Sequence, residues 1–494
     1  MYESKLVEHL KVLNDSEFSD FLRFVKAMTE YEKDIPEETF KLVKYIFKYI
    51  NDAESDKLHR EVVYKHVYDN QAWKNGKIEK VMSAALRVFK NYVDFKLANE
   101  DKSEIDTLLP LTAFYRNRKM HKLFALNIKQ LKKYEQEIIK PDSKNYLEKY
   151  DIESEICKYQ TEFNNRKEDL NLPETIIALD IFYLTQRLDL ILTALTQNQY
   201  IPFHIEPNTE STLSQVLNLA SHPIYQENLL IQLYKKSIEL QIEKEEAASD
   251  IIFQEFSNLL EKAYDKINFN KFSHFCTILR NYCTKQYNKG RNSFLYTNFE
   301  LFKIHLKQNV LYADDKIRAS TMQNIVVASL KLKEFDFVKL FLQEHKAKIT
   351  GTLQPELVWE YNMAFYYFET KKHKEALEIL PNYLDLDDFY YILAARRLEI
   401  KILSETESNS KYDTVGNKID AFKNFLFESK KNDRISELIF NMNNDFTDMV
   451  KQIRNTIKND KEKINKLILK IEQNQAVAER EWLLQKLQNI NNNR

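Results

Sequence analysis

Three groups of side chains in the 494-residue sequence have types and spacings that could do chemistry. His274, Cys276 and Cys283 offer imidazole and thiol ligands to a metal, but they lack the closely spaced pairs from which zinc sites are built. Cys276 and Cys283 stand seven residues apart among Phe272, Phe275, Ile278, Leu279 and Tyr282. A helix would carry both toward a core, and buried thiols are the expected reading. Asp385, Asp387 and Asp388 could ligate a hard cation, yet no glycine turn follows and no glutamate stands at calcium-loop spacing. Carboxylates at a helix start complement its dipole and free amides, which accounts for them without a ligand. Arg396 and Arg397, two turns further on, could hold an anion, although pairing with acidic neighbours is the expected use. No Ser-His-Asp order or paired-carboxylate motif stands out, so the chain reads as non-enzymatic and without a cofactor.

Two further sets point to binding. From Tyr115 to Tyr134 the sequence holds Arg116, Arg118, Lys119, Lys122, Lys129, Lys132 and Lys133 and no acidic residue. Helical spacing would set Arg118, Lys122, Lys129 and Lys133 along one side of a helix over 116–133, a surface for an acidic partner or a nucleic-acid backbone. Glu148, Glu153 and Glu155 on a neighbouring helix are expected to answer these charges, so a nucleic-acid-associated protein is the alternative reading and not the first. The chain also carries 28 Tyr and 31 Phe. Aromatics at helical spacing usually fill the space between helices, but Tyr366, Tyr367, Tyr390 and Tyr391 exceed what one buried face can hold. Tyrosines that reach a surface suit contact with a protein or peptide segment.

The elements that must position these groups are helices. Only four Gly and nine Pro occur, and no two glycines fall at phosphate-loop spacing, which excludes P-loop and Rossmann chemistry. Lys plus Arg is 73 against 74 Asp plus Glu, so no global field attracts nucleic acid. Three cysteines imply a reducing compartment, and the absence of an apolar leader or membrane-length run implies a cytoplasmic chain with no membrane contact. Apolar periodicity divides the chain into an N-terminal helical unit over 1–100, a long-helix segment over 101–208, helical hairpins over 209–430 and capping helices over 431–494. Asp15 or Ser16 is the expected cap of one early helix and Pro36 opens the next. YIPFHIEPN, from Tyr200, reads as a loop. Near the end, Trp482, Leu483 and Leu484 are expected to dock the last helix.

A tandem pattern organises the C-terminal half. NIVVASLKLKEFDFVKLFL from Asn324 matches NMAFYYFETKKHKEALEIL from Asn362, 38 positions later. Lys333 aligns with Lys371, Val338 with Ala376 and Leu342 with Leu380. Ala364, Tyr367, His373 and Ala376 stand at the small and aromatic positions of a tetratricopeptide repeat, and Val326, Ser329, Phe335 and Val338 form a degenerate copy. The chain thus resembles a divergent tetratricopeptide-like (TPR-like) protein, similar to large bacterial helical-repeat proteins. The resemblance implies an all-α fold, a right-handed α-solenoid of stacked antiparallel hairpins, and a groove that binds a protein or peptide. Tyr366, Tyr367, Tyr390, Arg396 and Arg397 are the candidate binding residues there, with Arg118, Lys122 and Lys129 reserved for an acidic partner.

Overall fold

The computed structural model describes residues 4–51, 56–100, 102–163, 169–198, 208–406, 413–456, 460–474 and 476–492. Among them the chain forms 23 α-helices and three very short strands. It divides into two compact units, residues 1–138 with 144–182, and residues 139–143 with 183–494. The division falls inside the helix Leu172–Asn198, not in the loop expected at 200–208. Residues 200–207 of that loop, His204 included, lie outside the described residues, and Asn208 opens helix Asn208–Ala220.

The first unit begins with helices Lys5–Lys11, Asp15–Tyr31, Glu38–Lys48, Arg60–Val67 and Lys77–Glu100. Their apolar stripes close around Phe21, Val25, Leu42, Ile46, Val63, Ala85 and Val88, all fully buried. The cap of the second helix is Asn14, one residue earlier than expected. Its side chain accepts from Glu17 N–H while Glu17 accepts from Asn14 N–H, a reciprocal capping box. Further along, helices Glu104–Asn117, His121–Glu137 and Ser143–Phe163 meet around Ile105, Leu131 and Ile152.

In the second unit each helix packs mainly on its chain neighbour. Several also pack on the next but one: Leu229–Ile242 on Phe269–Asn288, Ala319–Lys331 on Pro355–Glu369, Pro355–Glu369 on Phe389–Thr406, and Glu437–Arg454 on Arg480–Asn492. Such near-neighbour packing is that of a helical stack. Two apolar clusters result. One holds Met322, Val326, Ala364, Ala376 and Ala395, and the other holds Ile419, Phe422, Phe446, Ile464, Leu483 and Leu487. Trp482 packs against both.

Six of the turns that follow helices share one geometry that needs almost no glycine. Lys119, Gly290, Asn309, Lys333, Lys371 and Asp433 all have φ between 52° and 93°. The next N–H bonds back to the carbonyl five residues earlier in each case: Met120 to Tyr115, Arg291 to Gln286, Val310 to His305, Glu334 to Ser329, Lys372 to Tyr367 and Arg434 to Ser429. This 6→1 closure satisfies carbonyls that a helix end leaves free. Lys333 and Lys371 are the aligned lysines of the tandem stretch, so the two hairpins turn at the same place. The aligned asparagines differ. Asn362 is fully buried and donates to the Val358 carbonyl at 2.8 Å, whereas Asn324 is exposed.

One feature is absent from the sequence-based expectation. Tyr312–Ala313 pairs antiparallel with Lys316–Arg318 through a turn in which Asp314 and Asp315 both have positive φ, and Lys316–Arg318 pairs parallel with Ile349–Thr350. The small sheet buries Ile317 and fixes the entry to helix Ala319–Lys331.

Positive φ strains a residue that has a Cβ by roughly 1 kcal/mol. Lys333→Gly and Lys371→Gly are each expected to raise stability by about 0.5–1 kcal/mol in urea unfolding. A loss instead would mean that the lysine side chains, and not the backbone geometry, hold these turns.

Candidate functional site

The densest set of charged groups in the second unit joins residues far apart in sequence. Glu479, with φ 56°, stands immediately before helix Arg480–Asn492, and its carboxylate is shared between two cations. Arg397 Nε donates to Oε1 at 3.1 Å and Lys401 Nζ to Oε2 at 2.7 Å. Arg397 and Lys401 are four residues apart on helix Phe389–Thr406 and so project from one face. Arg397 Nη1 also donates to Asn443 Oδ1 at 2.7 Å, and Ala478 N–H donates to the Met442 carbonyl at 3.2 Å.

Lys401 is 3% exposed, with its ammonium 4.7 Å from the ring centre of Phe368. A cation so removed from water requires a paired anion, because the desolvation cost is several kcal/mol otherwise. Glu479 supplies it. Burial pushes the Glu479 carboxyl up, but the charges of Lys401 and Arg397 outweigh burial and bring it down to about 2. Burial also pushes the nearby Glu369 carboxyl up, against the pull of Lys401 and aided by Glu479 and Glu481.

The helix that follows continues the contact. Tyr287 Oη donates to Glu481 Oε1 at 2.7 Å, and Lys331 Nζ reaches Tyr287 Oη at 3.0 Å and Glu481 at 3.3 Å. Trp482 Nε1 donates to Glu405 Oε1 at 3.0 Å, and Lys486 Nζ donates to Glu405 Oε2 at 2.8 Å and to the Ser404 carbonyl at 2.9 Å. The groups that receive residues 478–486 thus come from helices Phe269–Asn288, Ala319–Lys331, Phe389–Thr406 and Glu437–Arg454, and from the preceding helix Lys461–Gln473. In the last of these, Arg480 donates to the Ile471 and Glu472 carbonyls at 3.2 and 3.4 Å.

The residues singled out from sequence fall in several places. Arg397 belongs to the cluster and pairs with a carboxylate, as expected of it. Arg396, the adjacent residue, points elsewhere: it is 8% exposed and its guanidinium lies 3.8 Å from the Tyr383 ring centre and 4.3 Å from that of Phe425. Burial lowers its pKa, and its Nε has no hydrogen-bond partner. Tyr390 is exposed and Tyr367 half-buried, but Tyr366 is 8% exposed and part of the core. Tyr391 is also buried, donating to the Ala319 carbonyl at 2.8 Å. Asp388 caps helix Phe389–Thr406 by accepting from Tyr390 N–H, and Asp387 accepts from Leu353 N–H and Thr352 Oγ1.

The basic stretch requires a correction. It is not one helix over 116–133, because Lys119 turns the chain and separates Glu104–Asn117 from His121–Glu137. Arg118 lies in that turn, off the face that carries Lys122 and Lys129, both of which are exposed. Arg116 pairs with Glu155 and Glu162, and Lys132 with Glu153 and Glu135. Cys276 and Cys283 are fully buried, with burial pushing both thiols up to about 12. Among the described residues no group of three or more His, Cys, Asp and Glu is placed to hold a metal, and no helix is long and apolar enough to cross a membrane.

Sequence reasoning missed Lys331, Lys401, Glu479 and Tyr287. The usable signal was the order Glu479, Glu481, Trp482, Lys486 at the start of the last amphipathic helix, where two acids and an indole precede a cation.

The Glu479 carboxyl titrates near 2 in the fold against an ordinary 4.5. The stability it contributes, up to about 3 kcal/mol for a shift of this size, is present above about pH 4.5 and lost as pH falls toward 2. Wild type is therefore expected to lose stability across that window more steeply than Glu479→Gln in urea unfolding. Equal acid slopes would show that the two cations do not hold this carboxylate. No protein-family model, curated protein or solved structure matches the chain.

Proposed function

We propose that the chain is a non-enzymatic helical-repeat scaffold that binds a protein or peptide segment, with TPR-like hairpins over about 209–430 stacked as a right-handed α-solenoid. The observation that carries this reading is that helices as far apart in sequence as Phe269–Asn288, Ala319–Lys331, Phe389–Thr406 and Glu437–Arg454 all reach one short segment. In a flat layer with helices about 10 Å apart, the first and last of four would lie about 30 Å from each other. Residues 478–486 span only about 13 Å of helix. A face whose helices all reach so short a segment fits the concave inner side of a solenoid and supports this reading.

The chemistry of that face supports binding over catalysis. Arg397, Lys401 and Lys331 meet Glu479 and Glu481, Glu405 meets Trp482 and Lys486, and the rings of Phe365 and Phe368 lie beside the Lys401 ammonium. These groups pair charges and cover apolar surface. None stands as a nucleophile beside a base.

Panning a display library of helical peptides against the full chain is expected to enrich sequences with clustered acids beside an aromatic residue. The enrichment should disappear with Lys331→Glu and Arg397→Glu together. A chain that enriches no peptide, or enriches the same ones after those reversals, contradicts the reading.

A further inference from the structure

Resting on that reading, we propose that the groove takes an amphipathic helix presenting two carboxylates, an indole and a cation in the order of Glu479, Glu481, Trp482 and Lys486. We further infer that the chain's own C-terminal helix sits there as an exchangeable competitor for such a partner.

The C-terminal helix has two faces with different attachments. Leu483 and Leu487 are fully buried in a cluster that joins Ile464, Leu467 and Ile471 of helix Lys461–Gln473 with Phe446 and Val450 of helix Glu437–Arg454 and Ile400 of helix Phe389–Thr406. Glu479, Glu481, Trp482 and Lys486 instead reach across to helices Phe269–Asn288, Ala319–Lys331 and Phe389–Thr406. The first face tethers the helix and the second occupies the groove.

The groove face is matched in charge along its length. Lys331, Arg397 and Lys401 meet the two glutamates, and Glu405 meets Lys486 and the Trp482 N–H. Without residues 479–486, Glu369 is left beside Lys401 and Lys331 among the described residues, and Glu405 loses Trp482 and Lys486. A free helix with the same order of groups restores every one of these pairings. The far end of the contact is edged by solvent, since the Glu481 side chain is 57% exposed, so an incoming helix gains access there first. Glu479 holds a left-handed backbone conformation that a residue with a Cβ disfavours, and the two cations maintain it. Tethering makes the internal segment a competitor of high effective concentration, so a partner in trans binds weakly until the segment is loosened.

The test uses a fluorescein-labelled peptide with the sequence of residues 476–490 and the full-length chain as wild type, as Glu479→Gln/Glu481→Gln, and as that pair with Arg397→Glu. Amide exchange over residues 480–490 reports release, and fluorescence anisotropy reports binding. The double variant is expected to exchange faster and to bind the peptide at least tenfold more tightly than wild type, with Arg397→Glu cancelling that gain. Should the double variant fail to fold, Trp482→Phe with Lys486→Gln loosens the opposite end and is expected to give the same gain. Unchanged exchange, or faster exchange without tighter binding, overturns the proposal and leaves the helix as a fixed cap. Equal binding by wild type and variant that depends on Arg397 overturns competition but keeps the groove as a peptide site. Binding indifferent to Arg397→Glu overturns both.

Discussion

Lys401 is the buried cation around which the C-terminal half is arranged. Its ammonium is surrounded by the rings of Phe365 and Phe368 and is satisfied by the carboxylate of Glu479, which Arg397 shares. Removing one member of such a set leaves a charge in a low-dielectric setting, which is why the geometry of the last helix is so closely bound to it. The chain reverses into the helix at Glu479, in a conformation usually left to glycine. From there Glu481, Trp482 and Lys486 fall in turn on their partners. Trp482 makes the same junction in apolar terms, packing on both clusters of the second unit.

The rest of the second unit provides a face for that junction by repeating one local solution. Five of its helices, ending at Asn288, Lys307, Lys331, Glu369 and Lys431, are followed by a residue in the left-handed region and a hydrogen bond spanning the turn. With four glycines in the whole chain, lysine, asparagine and aspartate fill most of these positions. Lysine at a helix end also places positive charge near the negative pole of the dipole, which offsets part of the backbone strain. Small residues on facing helices, Ala364 and Ala376 among them, let the hairpins close, and packing between neighbours does the remainder.

Much of this was legible in the sequence because it is local. The apolar stripes of the N-terminal unit, the buried pair Cys276 and Cys283, the cap at Asp388 and the docking of Leu483 follow from periodicity and cap chemistry within a few residues. The break at Lys119 was not legible, since Asn117-Arg118-Lys119-Met120 contains neither glycine nor proline. Neither was the sheet at Ile317, whose parallel partner lies on the far side of a helical hairpin. Arg397 was recognised as a residue that needs an anion, but the anion is 82 positions away in the sequence, and Tyr287 meets Glu481 across 194. Tyr366 shows the reverse error: a count of aromatics says that some must be exposed, not which, and packing buried this one.

The central claim is that residues 479–486 occupy a face meant for another helix. Amide exchange across residues 480–490 of the wild-type chain, measured with and without a saturating peptide of acidic and aromatic character, tests it most directly. The account predicts that the bound peptide accelerates exchange in this segment while leaving the preceding helix Lys461–Gln473 protected. Peptide binding with unchanged protection of residues 480–490 would contradict it.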